Sequence, residues 1–307
     1  MARSVAPAPA LTAPEARRRL AVFLSLTMLV SLAIQATIYR RGGPIRSHNE
    51  LVIALMWTPG LVSLLTRVLF REPLADVSLR PGRERARSYL TAWLQPLAVG
   101  LLAYGLAWST GLATFEAPAT SSIGLAGMAP VPRFLISLAI GLVIGPPLAA
   151  ITAAGEELGW RGYMLTRLLD ARVPHPVLLS GLIWGLWHVP LIVSGQYAAG
   201  PSPVLSAVLF LCSVIAGGVV AALVRLRSGS VWPAVVFHSS WNALIQGPFD
   251  GFTRGGDASR TTSIWIGESG LAVVAVSVLV TLWLARSGLV VRRRPDDAPG
   301  HLAARDL

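Results

Sequence analysis

The feature that most constrains this chain is a series of apolar runs, each about long enough to cross a bilayer. A membrane helix needs roughly 20 mostly apolar residues. About eight windows meet that need: Leu20–Ile38, Leu51–Phe70, Tyr89–Trp108, Phe134–Ala154, Pro176–Ser194, Val204–Val224, Val231–Gly247 and Ile264–Ala285. In hydrocarbon only helices and closed barrels satisfy every backbone N–H and C=O. Runs of this length therefore predict an all-α fold, a polytopic integral membrane bundle of about eight transmembrane helices. Composition agrees: 13% of residues are charged and the mean hydropathy is +0.61, whereas a soluble domain carries about 25% charged residues.

The spacing predicts a single transmembrane domain over 20–287, flanked by disordered cytoplasmic tails at 1–19 and 288–307. The tails are rich in Ala, Pro and charge and poor in anything that could form a core. The first apolar run follows Arg17-Arg18-Arg19 and is long for a secretion signal, so it is expected to be a retained helix. The net charge of +11 comes from arginine alone, since the sequence has no lysine. Most arginines flank apolar runs, which points to a bilayer rather than nucleic acid. They concentrate in 71–88, 155–175, 225–230 and 286–294, while 195–203 carries no charge and 109–133 a single arginine, Arg133. The expected location is the cell membrane, multi-pass, with both termini cytoplasmic; Arg40, Arg41 and Arg46 are the exception. Cys212 excludes an intramolecular disulfide and, lying in an apolar run, is expected to be buried.

Three short stretches carry almost all the chemistry. In Gly155-Glu156-Glu157-Leu158-Gly159-Trp160-Arg161, Glu157 and Arg161 stand four residues apart, acid first, the favourable order for a same-face ion pair. Glu156 points about 100° away and has no local cation. In Trp184-Gly185-Leu186-Trp187-His188, an imidazole sits inside an apolar run. In His238-Ser239-Ser240-Trp241-Asn242, an imidazole and an amide share one helix face. Each stretch alone also reads as packing: a helix ion pair, a core histidine bonded to one carbonyl, an interhelical polar clamp. Together they lie on three apolar segments, and burying a carboxylate, two imidazoles and an amide separately would leave each unsatisfied. Brought together, they form a hydrolytic set. A desolvated carboxylate can take a proton from water, and imidazole and amide N–H groups can hold an oxyanion. The same side chains also resemble a metal site. A His-Glu-x-x-His zinc helix, a serine-nucleophile elbow, a phosphate loop and a dinucleotide fingerprint are absent. Gly255-Gly256-Asp257 falls in a hydrophilic loop, so a paired-aspartate site is unsupported.

These three motifs resemble those of the CAAX-protease and bacteriocin-processing (CPBP, Abi) family of intramembrane proteases, marked by Glu-Glu-x-x-x-Arg, Phe-x-x-x-His and His-x-x-x-Asn or Asp. Trp184 stands here where the family has Phe. The resemblance spans about 134–247, which would be the protease core. It implies an endopeptidase with Glu156 activating water, His188 assisting, and His238 and Asn242 forming the oxyanion hole; the charge map places Glu156 at a cytoplasmic helix end, where water can reach it. Glu157 and Arg161 would support them from behind. No cofactor is favoured. Zinc on Glu156, His188 and His238 is the alternative, less favoured because no motif has paired histidines at zincin spacing. The implied partners are a membrane-associated peptide or protein substrate and the lipid bilayer, with no nucleic acid. In eukaryotic relatives the substrates are prenylated C-terminal tails. Two other readings stand beside the enzyme: a proton-coupled transporter, since buried Glu and His also make proton relays, and a non-catalytic immunity or scaffold protein.

Overall fold

The computed structural model describes residues 11–43, 45–82, 85–120, 124–200, 202–254 and 264–287. Among them ten α-helices follow in order: α1 Ala13–Arg41, α2 Asn49–Phe70, α3 Arg85–Ser109, α4 Pro130–Val143, α5 Gly145–Gly159, α6 Leu165–Asp170, α7 Pro176–Val193, α8 Pro203–Ser228, α9 Trp232–Leu244 and α10 Leu271–Arg286. Extended pairing among these residues is limited to one isolated antiparallel bridge between Phe115 and Thr253. The chain is an all-α helical bundle of the polytopic membrane type. Leu29, Val68, Leu148, Ile151 and Leu279 are large apolar side chains left exposed on its flanks, as a lipid-facing surface requires.

Five helices, α1, α2, α3, α7 and α8, are long and apolar enough to cross a bilayer alone. The expected run at 134–154 is broken. α4 and the following helix meet at 47°, because Gly145-Pro146-Pro147 removes backbone donors and crowds the preceding turn. The last two runs are also shorter than expected. α9 has 13 residues before a π-helical turn at Ile245–Phe249. α10 has 16 residues and starts only at Leu271, so Ile264–Gly270 is a looped lead-in.

Three local expectations are corrected. Residues 13–19 are helical rather than disordered, because Thr12 caps α1 by donating its backbone N–H (3.0 Å) and hydroxyl (2.6 Å) to Glu15. Residues 1–10 and 288–307 of the expected tails, and Gly255-Gly256-Asp257, lie outside the described residues. The helix does not stop at Ala154, where the apolar window ends. A π-helical turn at Trp160–Met164 joins α5 to α6, so the helix runs on to Asp170. The charges there are paired inside the protein, which a hydropathy scan cannot tell from a solvated connection. Cys212 is exposed on α8 rather than buried.

Two ends of the bundle differ. At one, Glu72 and Asp76 draw in arginines from several helices: Arg19 and Arg167 reach Glu72 at 2.8 and 3.3 Å, Arg67 and Arg167 reach Asp76, and Arg225 donates to the Asp76 carbonyl at 2.8 Å. At the other, the connections after α3, α7 and α9 and the lead-in to α10 fold over one another. Glu116 N–H donates to the Phe252 carbonyl at 2.9 Å, and the Ser269 hydroxyl donates to the Ala198 carbonyl at 2.8 Å.

Candidate active site

The site begins on α5, where the backbone of α2 approaches closely. A Cβ on Gly155 would lie 2.8 Å from the Met56 carbonyl oxygen, and one on Gly159 would lie 2.4 Å from Pro59 Cβ. Two small residues one turn apart thus admit α2 and press the intervening Glu156 and Glu157 into the bundle, where both are buried. The acids then diverge, as their 100° offset requires. Glu157 accepts from Arg161 at 2.9 Å, with both side chains fully enclosed. Glu156 accepts from the indole N–H of Trp184 on α7 at 2.8 Å.

Trp184 joins the parts of the site. Its ring lies under the Arg161 guanidinium at 4.2 Å and at 5.2 Å from the His238 ring. Its carbonyl lies 2.9 Å from His188 Nδ1. A carbonyl only accepts, so Nδ1 carries the proton and Nε2 of neutral His188 keeps its lone pair. The departure from the family's Phe is therefore chemical as well as steric, since Phe would keep the stacking and lose the donor to Glu156.

On α9, His238 Nδ1 lies 2.9 Å from the same Glu157 oxygen that Arg161 uses. One buried carboxylate thus ties the α5 ion pair to the α9 imidazole. A carboxylate at Nδ1 fixes the ring orientation, leaves Nε2 for other work, and stabilises the imidazolium if it forms.

His188, His238 and Asn242 meet around one small cavity, of about 40 Å³, walled by Trp184, Phe210 and Trp241. Glu156 is not among the lining residues but is bonded to Trp184, which is. It is not at a helix end, being eleven residues past Gly145 in a helical stretch that continues to Asp170.

The cavity also contains a group that the motifs do not announce. Glu268, buried in the lead-in to α10, accepts from the Trp241 indole at 2.8 Å, the Tyr197 hydroxyl at 2.5 Å and the Gln246 amide at 3.2 Å. Burial, and then the Glu268 carboxylate beside it, hold the Tyr197 phenol well above its ordinary range, so it stays a donor at neutral pH. The available signal was a lone acid, Glu268, at the head of an apolar run, an expensive placement that the three-motif pattern does not cover.

Among the described residues no group of three or more His, Cys, Asp or Glu side chains is arranged to hold a metal ion. Glu156, His188 and His238 converge on the site through Trp184 rather than around a common point.

Residues 132–244 match the family model described as Rce1-like, type II CAAX prenyl endopeptidase. A curated relative from Methanococcus maripaludis, CAAX prenyl protease 2, is 32% identical over 96 residues, covering 30% of this chain and 35% of the relative. The chain thus spans about a third of the length of the relative it matches. The matched segment runs from α4 to the end of α9. It contains all six motif residues and stops short of Gln246 and Glu268.

Proposed function

This chain belongs to the CAAX protease family, and from that premise we propose that it is an intramembrane endopeptidase of the glutamic type. The observation that carries the mechanism is a buried Glu156 held by the Trp184 indole, beside a cavity on which His188, His238 and Asn242 converge from two other helices. Water entering between Trp184 and His188 gives a proton to Glu156 while the Nε2 lone pair of His188 orients it. The water oxygen attacks the scissile carbonyl carbon. Asn242 N–H and the Nε2–H of protonated His238, supported at Nδ1 by Glu157, hold the oxyanion that develops. The tetrahedral intermediate collapses with cleavage of the C–N bond, and Glu156 returns its proton to the leaving amine. Glu157 and Arg161 orient the site without touching substrate.

The proposed substrate is a membrane-associated peptide or protein tail. The relative is a CAAX prenyl protease, which makes a prenylated C-terminal tail the first class to try, and the aromatic cavity wall suits an apolar attachment. The cell membrane is the proposed location, with both termini cytoplasmic.

The purified chain in detergent is expected to cleave members of a fluorogenic panel of plain and prenylated membrane-tail peptides. Glu156→Ala and His188→Ala should each lower the rate by about 100-fold or more, in line with the usual size of a lost general base. Cleavage should survive chelator. Equal rates in wild type and both variants would overturn the enzyme, and loss to chelator restored by zinc would overturn the metal-free type.

A further inference from the structure

We propose that Glu268, acting through Gln246, is a positioning residue that fixes the Asn242 amide with its N–H groups toward the cavity. The inference rests on the proteolytic reading above and concerns residues outside the segment shared with the family.

The donor and acceptor roles in this cluster leave one consistent assignment. A carboxylate only accepts, and an indole N–H only donates. Trp241 therefore fills Glu268 Oε1, and the Tyr197 hydroxyl, spending its proton on Oε2, is left an acceptor. The Gln246 atom facing both oxygens at 3.2 Å must then be its amide nitrogen. With one N–H engaged there, the other reaches Asn242 Oδ1 at 3.4 Å. With Oδ1 turned to Gln246, Nδ2 is the end of the Asn242 amide left for the cavity that Asn242 lines. Without this chain, Asn242 could turn its carbonyl inward and repel an oxyanion instead of binding it.

The chain is held on firm ground. The lead-in that carries Glu268 is tied at Ser269 to the Ala198 carbonyl (2.8 Å), and at the Gly267 N–H to the Tyr104 hydroxyl (3.2 Å), which itself donates to Asp250. Gln246 sits in the π-helical turn Ile245–Phe249. That turn begins one residue before Gln246, the i, i+4 partner of Asn242, and π turns often serve a site.

The test is a double-mutant cycle on the purified full chain. Glu268→Gln and Gln246→Met are each expected to lower kcat by about 10-fold or more with KM within about twofold, the pattern of a contact made only in the transition state. In an Asn242→Ala background, either change should cost less than about twofold, because a residue acting through Asn242 has nothing left to position. Gln246→Met nearly preserves volume and decides the matter if Glu268→Gln does not fold. Losses that multiply with Asn242→Ala, or a rise in KM alone, would overturn the positioning role while leaving the protease reading intact. A wild-type chain without Glu156-dependent cleavage would overturn both.

Discussion

Glu156 and Glu157 are neighbours in sequence and equally enclosed, and they are held by different partners. Glu157 has Arg161 one turn away and His238 across the helix interface, both at 2.9 Å. Glu156 accepts from the neutral indole of Trp184. Neutralising each should therefore fail differently. Glu157→Gln leaves a fully buried Arg161 without its anion, and one-sided removal of a buried pair costs on the order of 3 kcal/mol. A lower melting temperature in detergent and a smaller folded yield should result, with activity falling as His238 loses its guide. Glu156→Gln should melt near wild type and cleave nothing. Matching melting curves for the two variants would refute this division. The i, i+4 spacing made the Glu157–Arg161 pair legible in the sequence, and the 100° offset made the separation of the acids legible. The bond from Glu157 to His238 was not, because it joins residues 81 positions apart and no local period encodes an inter-helix register.

At the scale of elements, what positions the acids is the crossing of α2 with α5. Gly60 faces Gly155 so closely that a Cβ on either would overlap the other helix's backbone, and Pro59 occupies the space beside Gly159. Gly159→Ala must push the helices apart, at a typical overpacking cost of about 1–3 kcal/mol. It should lower both melting temperature and kcat, since the acids ride on the displaced helix. Ile151→Ala, on the lipid-facing side of the same helix, is the control and should change neither much. Equal behaviour of the two variants would show that the crossing does not set the site. Helix existence was readable from the apolar runs, and the break between α4 and α5 was readable in principle from Pro146-Pro147. The continuation of α5 into α6 was hidden, because the charges at Arg167 and Asp170 end the apolar run and look solvated until their partners are in place. The Gly155-x-x-x-Gly159 spacing carried the information about the crossing but not the identity of the opposing helix.

At the scale of the whole molecule, the arginine distribution and the site point to opposite ends. Arg19, Arg67, Arg167 and Arg225 gather with Glu72 and Asp76 at one end. Tyr197 and Glu268, which frame the cavity, belong to the other. His188 is five residues from the end of α7 on that side, about 7.5 Å at 1.5 Å per residue. If the arginine-rich end is cytoplasmic, as the charge bias favours, the cavity sits in the extracytoplasmic half and takes substrate from there. This departs from the cytoplasmic-face site expected when Glu156 was read as a helix end. Single cysteines decide it in a Cys212→Ser background, which removes the exposed native thiol. An impermeant maleimide applied to intact cells should label Leu112→Cys, just beyond α3, and should label Leu79→Cys only after permeabilisation; both positions are exposed. The reverse pattern would put the cavity end in the cytoplasm, with the arginine clusters outside. The buried ion pairs at Glu72 and Asp76 would then account for their charge without any role in orienting the chain.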